Sequence, residues 1–370
     1  MALLPKKLRF WLFDVLSLKT MRFVHTVPRN KATGLVAEVY EQIDEDFFIN
    51  GSLTSRSKVP NLLAAIWTGG RETILVTDQL DRTTKEAIAA TLSSINDCPY
   101  CGDMLVSLVQ AGDRTDDARQ ILQEKEKSIS DPVLRKQLTW VRSVATPGHP
   151  RPDSNPFTKE QLPEVIGTIM AMSDINRFSH IVMDGSPVNA PLGLLRLKEW
   201  MLRIFGNELR ATHSDHIQPG RTLHLLPTAS LPEDLQWASS NPRIAKAIAQ
   251  WTATVEKEAH GVVPEAVQQC VHHQLAKWQG ELMPISRSWV EEEVKQLAND
   301  NNVLAKFALL LAKASYQIDE NLMQQVVSIA GSEEDFIRIL AWSSNTASRY
   351  VANRIAKIAQ EVPDNLDRAA

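Results

Sequence analysis

Two cysteines separated by two residues, in the run Asn96-Asp97-Cys98-Pro99-Tyr100-Cys101, are the side chains best suited to covalent chemistry in this 370-residue chain. A pair at that spacing can be oxidised to a disulfide and reduced again, because once one sulfur is oxidised the other lies within reach of it. Pro99 fits the first position of a helix, which makes Cys98 the N-cap and puts Cys101 in the opening turn. Unpaired amide donors and the positive end of the helix dipole favour a thiolate there, and on that argument Cys98 is the more acidic thiol. The competing role for both is that of small buried hydrophobes on a core helix. Cys270 stands alone, so three cysteines make no disulfide scaffold and point to a reducing compartment, the cytoplasm. One CxxC supplies two ligands and no second pair completes a tetrahedral site, so neither a metal nor another cofactor is expected.

The elements that must position these cysteines are helices. Ala, Leu, Ile, Glu, Gln and Lys dominate long stretches, and 44% hydrophobic with 23% charged residues is a globular balance. An all-α fold is therefore expected. Leu35, Val36, Val39, Tyr40 and Ile43 form one helical stripe; further helices are expected over 59–68, 83–94, 98–112, 116–127, 132–144 and 158–183. Thr83 with Glu86 three residues on has the form of a capping box. Gly69-Gly70 has the form of a turn, and four prolines mark a loop over 146–156. Residues 186–230 form a connecting region with one helix around 194–205, and helix resumes from 232 to about 360, with a frayed tail after Pro363. The divisions expected are an N-terminal amphipathic arm (1–20), a helical domain with the CxxC (21–185), the connecting region, and a second helical region (231–370).

The stretch 21–184 resembles the alkylhydroperoxidase D-like and carboxymuconolactone decarboxylase family. The resemblance rests on Gly34-Leu35-Val36-Ala37-Glu38-Val39-Tyr40, Arg82-Thr83-Thr84-Lys85-Glu86-Ala87-Ile88-Ala89, the cysteine run, and Ser173-Asp174-Ile175-Asn176-Arg177-Phe178. Redox members of that family carry a glutamate twelve residues before the first cysteine and a histidine four residues after the second. Glu86 fills the first position; Leu105 stands at the second. The resemblance implies a thiol peroxidase acting on hydroperoxides, with Cys101 attacking the peroxide, Cys98 resolving, Glu86 in the proton relay, a thiol protein as electron donor, and a homo-oligomeric assembly. Leucine takes no proton, so the relay is broken at Leu105 and any peroxidase activity is attenuated. A non-catalytic helical scaffold that binds a small molecule or partner, and a decarboxylase-like enzyme of the same fold, are the alternatives.

Geometry sets a condition on Glu86. On an unbroken helix it would lie roughly 18 Å along the axis from Cys98. It can assist only if the chain turns sharply at Asn96–Asp97; its other role is the capping box with Thr83. Asp103 is expected to be a solvated carboxylate. His180 can enter the pocket from another helix or, as the simpler reading, bond a backbone carbonyl. His213, Asp215 and His216 sit in a polar loop, His272 and His273 point to different helix faces, and Met170, Met172 and Met183 fill core.

Counting from Glu265-Ala266-Val267 as a match to Glu86-Ala87-Ile88, a degenerate internal repeat puts Lys277 and Gly280 where Cys98 and Cys101 stand. A similar echo joins Phe157-Thr158 through Leu162 to Ile318-Asp319 through Leu322. A net charge of −4 argues against a nucleic-acid partner. No stretch is long and apolar enough to span a bilayer. The arm, with Lys6, Lys7 and Arg9 ahead of Phe10 to Phe13, is expected to pack on the protein's own surface rather than on a membrane.

Overall fold

The computed structural model describes residues 21–186, 195–209 and 217–361; the arm and the expected tail fray lie outside them. The described residues form an all-α fold, and the extended pairing among them is an isolated antiparallel bridge between Met21 and Met183. The helices are α1 (Gly34–Asp46), α2 (Gly51–Thr54), α3 (Pro60–Gly70), α4 (Arg82–Ile95), α5 (Pro99–Ala111), α6 (Thr115–Leu122), α7 (Pro132–Ala145) and α8 (Leu162–Val182). After them come α9 (Leu195–Leu209), α10 (Pro242–Ala259), α11 (Glu265–Lys277), α12 (Ser288–Val294), α13 (Asn299–Lys313), α14 (Glu320–Ala330) and α15 (Glu333–Glu361). None of the described helices is long and apolar enough to cross a membrane.

Helix α8 is the axis of the molecule. Val165, Ile169, Met170, Phe178 and Val182 are buried around its whole circumference, the pattern of a helix enclosed by protein. It packs against α4 and α3 on one side and along α15 on the other, and a single apolar core runs from Val24 to Ala359. Each fully buried Leu, Met or Phe in such a core contributes about 1.5–3 kcal/mol. Charges inside it must be paired. Lys85 Nζ lies 2.8 Å from Glu164 Oε2, both fully buried, and Glu164 also accepts the Gln79 amide at 2.7 Å. Breaking a buried pair costs about 3–5 kcal/mol, so this contact fixes the start of α4 against the start of α8. Ser93 Oγ donates to Asn176 Oδ1 at 3.1 Å farther along the same two helices.

Several expectations need correction. Asp81, not Thr83, caps α4: its carboxylate accepts from Thr84 N at 2.8 Å, so the helix starts two residues earlier than a Thr83 cap would allow and Thr83 does not serve as the N-cap of a capping box. Gly69 and Gly70 are not a turn but the end of α3, which runs into a π-helical segment, Arg71–Leu75. Gly69 is needed there because a Cβ would collide with the Trp251 ring where α3 and α10 touch. The helix expected over 116–127 stops at Leu122, with Glu124 at φ 55 and a 3₁₀ turn at Glu126–Ser128. The stretch 232–360 is not continuous helix: α11 ends at Lys277 and no helix resumes until Ser288.

Candidate active site

The chain does turn sharply between the two helices that carry Glu86 and the cysteines. At the end of α4 Asn96 N donates to Leu92 O (2.9 Å), Asp97 takes φ 50, and Cys98 N donates back to Ser93 O (2.9 Å). Pro99 then opens α5, and Cys98 is its N-cap, with Sγ accepting from Cys101 N at 3.4 Å. Cys98 and Cys101 are joined as a disulfide with Cα atoms 5.4 Å apart. Both are buried, and α5 folds back to pack on α4.

This hairpin brings Glu86 and Cys101 to the wall of one cavity of about 60 Å³. That is room for about four water-sized groups. Met104, Leu105 and Leu108 continue the α5 wall, and Phe47, Phe48, Leu53, Ile66, Trp67, Met172 and Ile175 close it with apolar surface. Cys98 lies behind Cys101 and does not line the cavity. Leu105 stands one helical turn after Cys101 on the same face, as the four-residue spacing requires. Glu86 is fully buried and its Oε1 lies 2.8 Å from Arg82 Nε, an i, i+4 pair that orients the carboxylate. Tyr100, also on the wall, accepts the Gly51 amide at its hydroxyl (3.2 Å).

Asp103 is not solvated. It is 2% exposed, its Oδ1 lies 2.8 Å from Lys198 Nζ of α9, and it accepts from Ser186. Burial pushes its pKa up, against the pull of Lys198. It points away from the cavity and clamps α9 to α5. His180 does not enter the pocket either; its Nδ1 lies 3.3 Å from Asp97 O, where it steadies the turn, the simpler of its two expected roles. No histidine lines the cavity among the described residues. His213, Asp215 and His216 lie outside the described residues. His272 is half-buried and His273 exposed, on different faces of α11 as expected.

The sequence alone singles out neither the polar wall residues Asn50 and Ser52 nor the charged wall residue Arg71. Its guanidinium is fully buried and reaches Asp46 Oδ2 (2.8 Å), Glu72 Oε1 (2.6 Å) and the Gln218 carbonyl (2.9 Å). Glu72 in turn accepts from Thr222 Oγ1 and the Gly220 amide, both at 2.9 Å. Its position depends on the π-helical segment, which no apolar periodicity announces; π-bulges recur at functional sites.

No family model matches the chain, and no solved structure does. The chain is similar to an alkyl hydroperoxide reductase of Mycobacterium tuberculosis, 29% identical over 348 residues, which cover 93% of this chain and 97% of that protein.

Proposed function

We propose that the chain is a thiol–disulfide oxidoreductase that reduces organic hydroperoxides at Cys101, with Cys98 as the resolving cysteine and a rate limited by Leu105. The observation that carries this reading is the meeting of Cys101 and Glu86 on one small, apolar-walled cavity with Cys98 bonded behind it. In the reduced enzyme the Cys101 thiolate attacks the terminal oxygen of ROOH. An S–O bond forms, the O–O bond breaks, and the alkoxide leaves as ROH after taking a proton. Cys98 then displaces hydroxide from the sulfenic acid as water, which forms the disulfide. A dithiol protein donor restores both thiols by exchange. Glu86, oriented by Arg82, is the acid–base group nearest in role to the missing histidine. The name of the similar mycobacterial protein supports an alkyl hydroperoxide as substrate, and the apolar walls suit its alkyl part.

The second reading, a helical scaffold that has lost catalysis, is favoured by Leu105 on the cavity wall where a proton acceptor would serve. Thiol titration coupled to a peroxide-consumption assay separates the two. Stoichiometric loss of two thiols with cumene hydroperoxide consumed supports the enzyme. Thiols inert to excess peroxide, in a folded reduced chain, support the scaffold.

A further inference from the structure

Far from the cysteines, the last turns of α15 border two adjoining cavities of about 430 and 210 Å³. Three segments meet there: the proline-rich loop 146–156, the turn that follows α11, and α15 itself. Gly148 N donates to Gly280 O at 2.8 Å and ties the loop to the turn. Arg354 lines both cavities, and Trp278, Arg349, Tyr350 and Lys357 line the larger one.

The charges in this cleft are not balanced. Arg349 is satisfied by Asp234 and Glu256, each at 2.9 Å, and Arg151 by Glu361 at 2.9 Å. Arg354 makes neither an ion pair nor a hydrogen bond among the described residues, and its Nε is buried without an acceptor. The nearest acid by its field is Glu281, whose Oε2 is taken by the Gln279 amide at 2.8 Å. Burial pushes the Arg354 pKa down, the expected cost of a cation lacking a counter-ion. Lys357, three residues on and exposed, adds a second positive charge to the same cleft.

The surroundings hold this cation in place. Its guanidinium lies over the Trp278 ring, 5.8 Å from the centroid. On another side it rests against Gly280, which has φ 86 and where a Cβ would come within 2.5 Å of the guanidinium carbon and Nη1. Glycine alone suits both the turn and the close approach. A planar fork of donors, fixed at the edge of an open cleft with its own acceptors missing, matches one kind of partner: an oxyanion that can accept from it bidentately.

We propose that this cleft is a binding site for a small organic oxyanion, a carboxylate or a phosphate monoester, anchored by Arg354 and Lys357 with its flat apolar part against Trp278 and Tyr350. The site is independent of the thiol chemistry. Benzoate, phenyl phosphate and inorganic phosphate, titrated by calorimetry at low ionic strength, are the probes. Saturable binding of benzoate alone identifies a carboxylate site, and of phenyl phosphate alone a phosphate-ester site; either supports the proposal. Arg354→Gln should weaken that binding about tenfold or more, and Lys357→Ala, at an exposed position that leaves folding intact, about threefold. Lys357→Glu should weaken it further, with the difference shrinking at high salt. Peroxide-induced loss of the Cys98 and Cys101 thiols should be unchanged in all three variants. The proposal fails if no probe saturates below about 10 mM, the weak end of small-molecule recognition. It also fails if Lys357→Glu and a folded Arg354→Gln bind as the parent chain does.

Discussion

The turn after α4 and the turn after α11 begin alike and end differently. Each follows a helix of similar length, and each uses a residue at positive φ, Asp97 at 50° and Gly280 at 86°. After Asp97 the chain starts a new helix at once, because Cys98 can cap it and Pro99 is pre-formed for its first position. Two sulfurs are then held at a helix N-terminus, one of them, Cys101, on the wall of a small apolar cavity. After α11 the residues Trp278-Gln279-Gly280 offer neither a cap nor a first-turn proline, and the chain stays irregular until Ser288. What that irregular turn positions is a guanidinium from another helix. By the count that matches Glu265 to Glu86, Gly280 stands where Cys101 stands. The lesson is local: whether a turn is followed by a cap decides whether it presents side chains at a helix N-terminus or exposes its backbone to a neighbour.

The contrast breaks most visibly at the cysteines. Cys101→Ser should reduce peroxide consumption to background, a loss of at least about 1,000-fold as for removal of a nucleophile. Cys98→Ser should instead permit one turnover and leave a sulfenic acid on Cys101 that a dimedone probe labels. Labelling of Cys98 in the Cys101→Ser chain, with no label on Cys101 in the Cys98→Ser chain, would reverse the two roles.

The seam between α8 and α15 offers a test through stability. Asp174 Oδ1 lies 2.7 Å from Arg56 Nη2, and Ser344 Oγ of α15 donates to Asp174 Oδ2 at 3.4 Å. Arg56 also lies over the Phe178 ring at 3.6 Å. Burial pushes the Asp174 carboxyl up from 3.8 to about 6 despite Arg56. Because the folded value is raised, its contribution is fully present below pH 4 and is lost as pH rises through about 6. The rise is equivalent to about 3 kcal/mol across that window. In urea unfolding, the parent chain should therefore lose stability relative to Asp174→Asn between pH 4 and pH 7. A gap between the two that stays constant over this range would show that Asp174 titrates normally.

Much of the first turn is legible in the sequence. Pro99 and the CxxC spacing forecast the N-cap, and Leu105 fell on the cavity wall because four residues make one helical turn. Glu86 was legible only conditionally, since its nearness to Cys101 hinged on how the chain turns at Asp97. Other features were not legible because their causes are distant in sequence. Asp103 has the spacing of a surface residue, yet Lys198 of α9 covers and pairs with it. Lys85 of α4 pairs with Glu164 of α8, 79 residues away. Arg71 needs a π-helical segment, and Arg354 needs Gly280, contacts that no periodicity encodes. Apolar period reports which face is inside; it does not report which buried charge meets which.

Leu105 gives a smaller and sharper test of the first turn. A positioned acid–base group contributes about 100- to 10,000-fold. Leu105→His places an imidazole one turn from Cys101, on the wall that Glu86 shares, and should speed hydroperoxide consumption at least about tenfold, below the full range because a base restored by one substitution has imperfect geometry. Circular dichroism must show the parent fold, since Leu105 is 6% exposed and its replacement puts a polar ring into an apolar wall. A folded variant with an unchanged rate would favour the scaffold reading.

The smallest expected effect belongs to the second region's own thiol. Cys270 is half-buried on α11, with its Sγ 3.7 Å from the Glu293 carbonyl, and burial together with Glu293 pushes its pKa up. A thiol in that state has little thiolate at neutral pH and is a poor nucleophile and a poor target for oxidants. It also lacks what Cys98 has, a helix N-terminus of its own, since it lies in mid-helix. Cys270→Ser should therefore change peroxide consumption less than about twofold, because no step of the thiol cycle passes through it. Peptide mapping of the mildly oxidised parent chain should find Cys98 linked to Cys101 and Cys270 free to alkylate. A Cys270 cross-link to either residue of the pair, or a large loss of turnover in Cys270→Ser, would mean that the two regions exchange disulfides, and the separation of thiol chemistry from the second turn would fall with it.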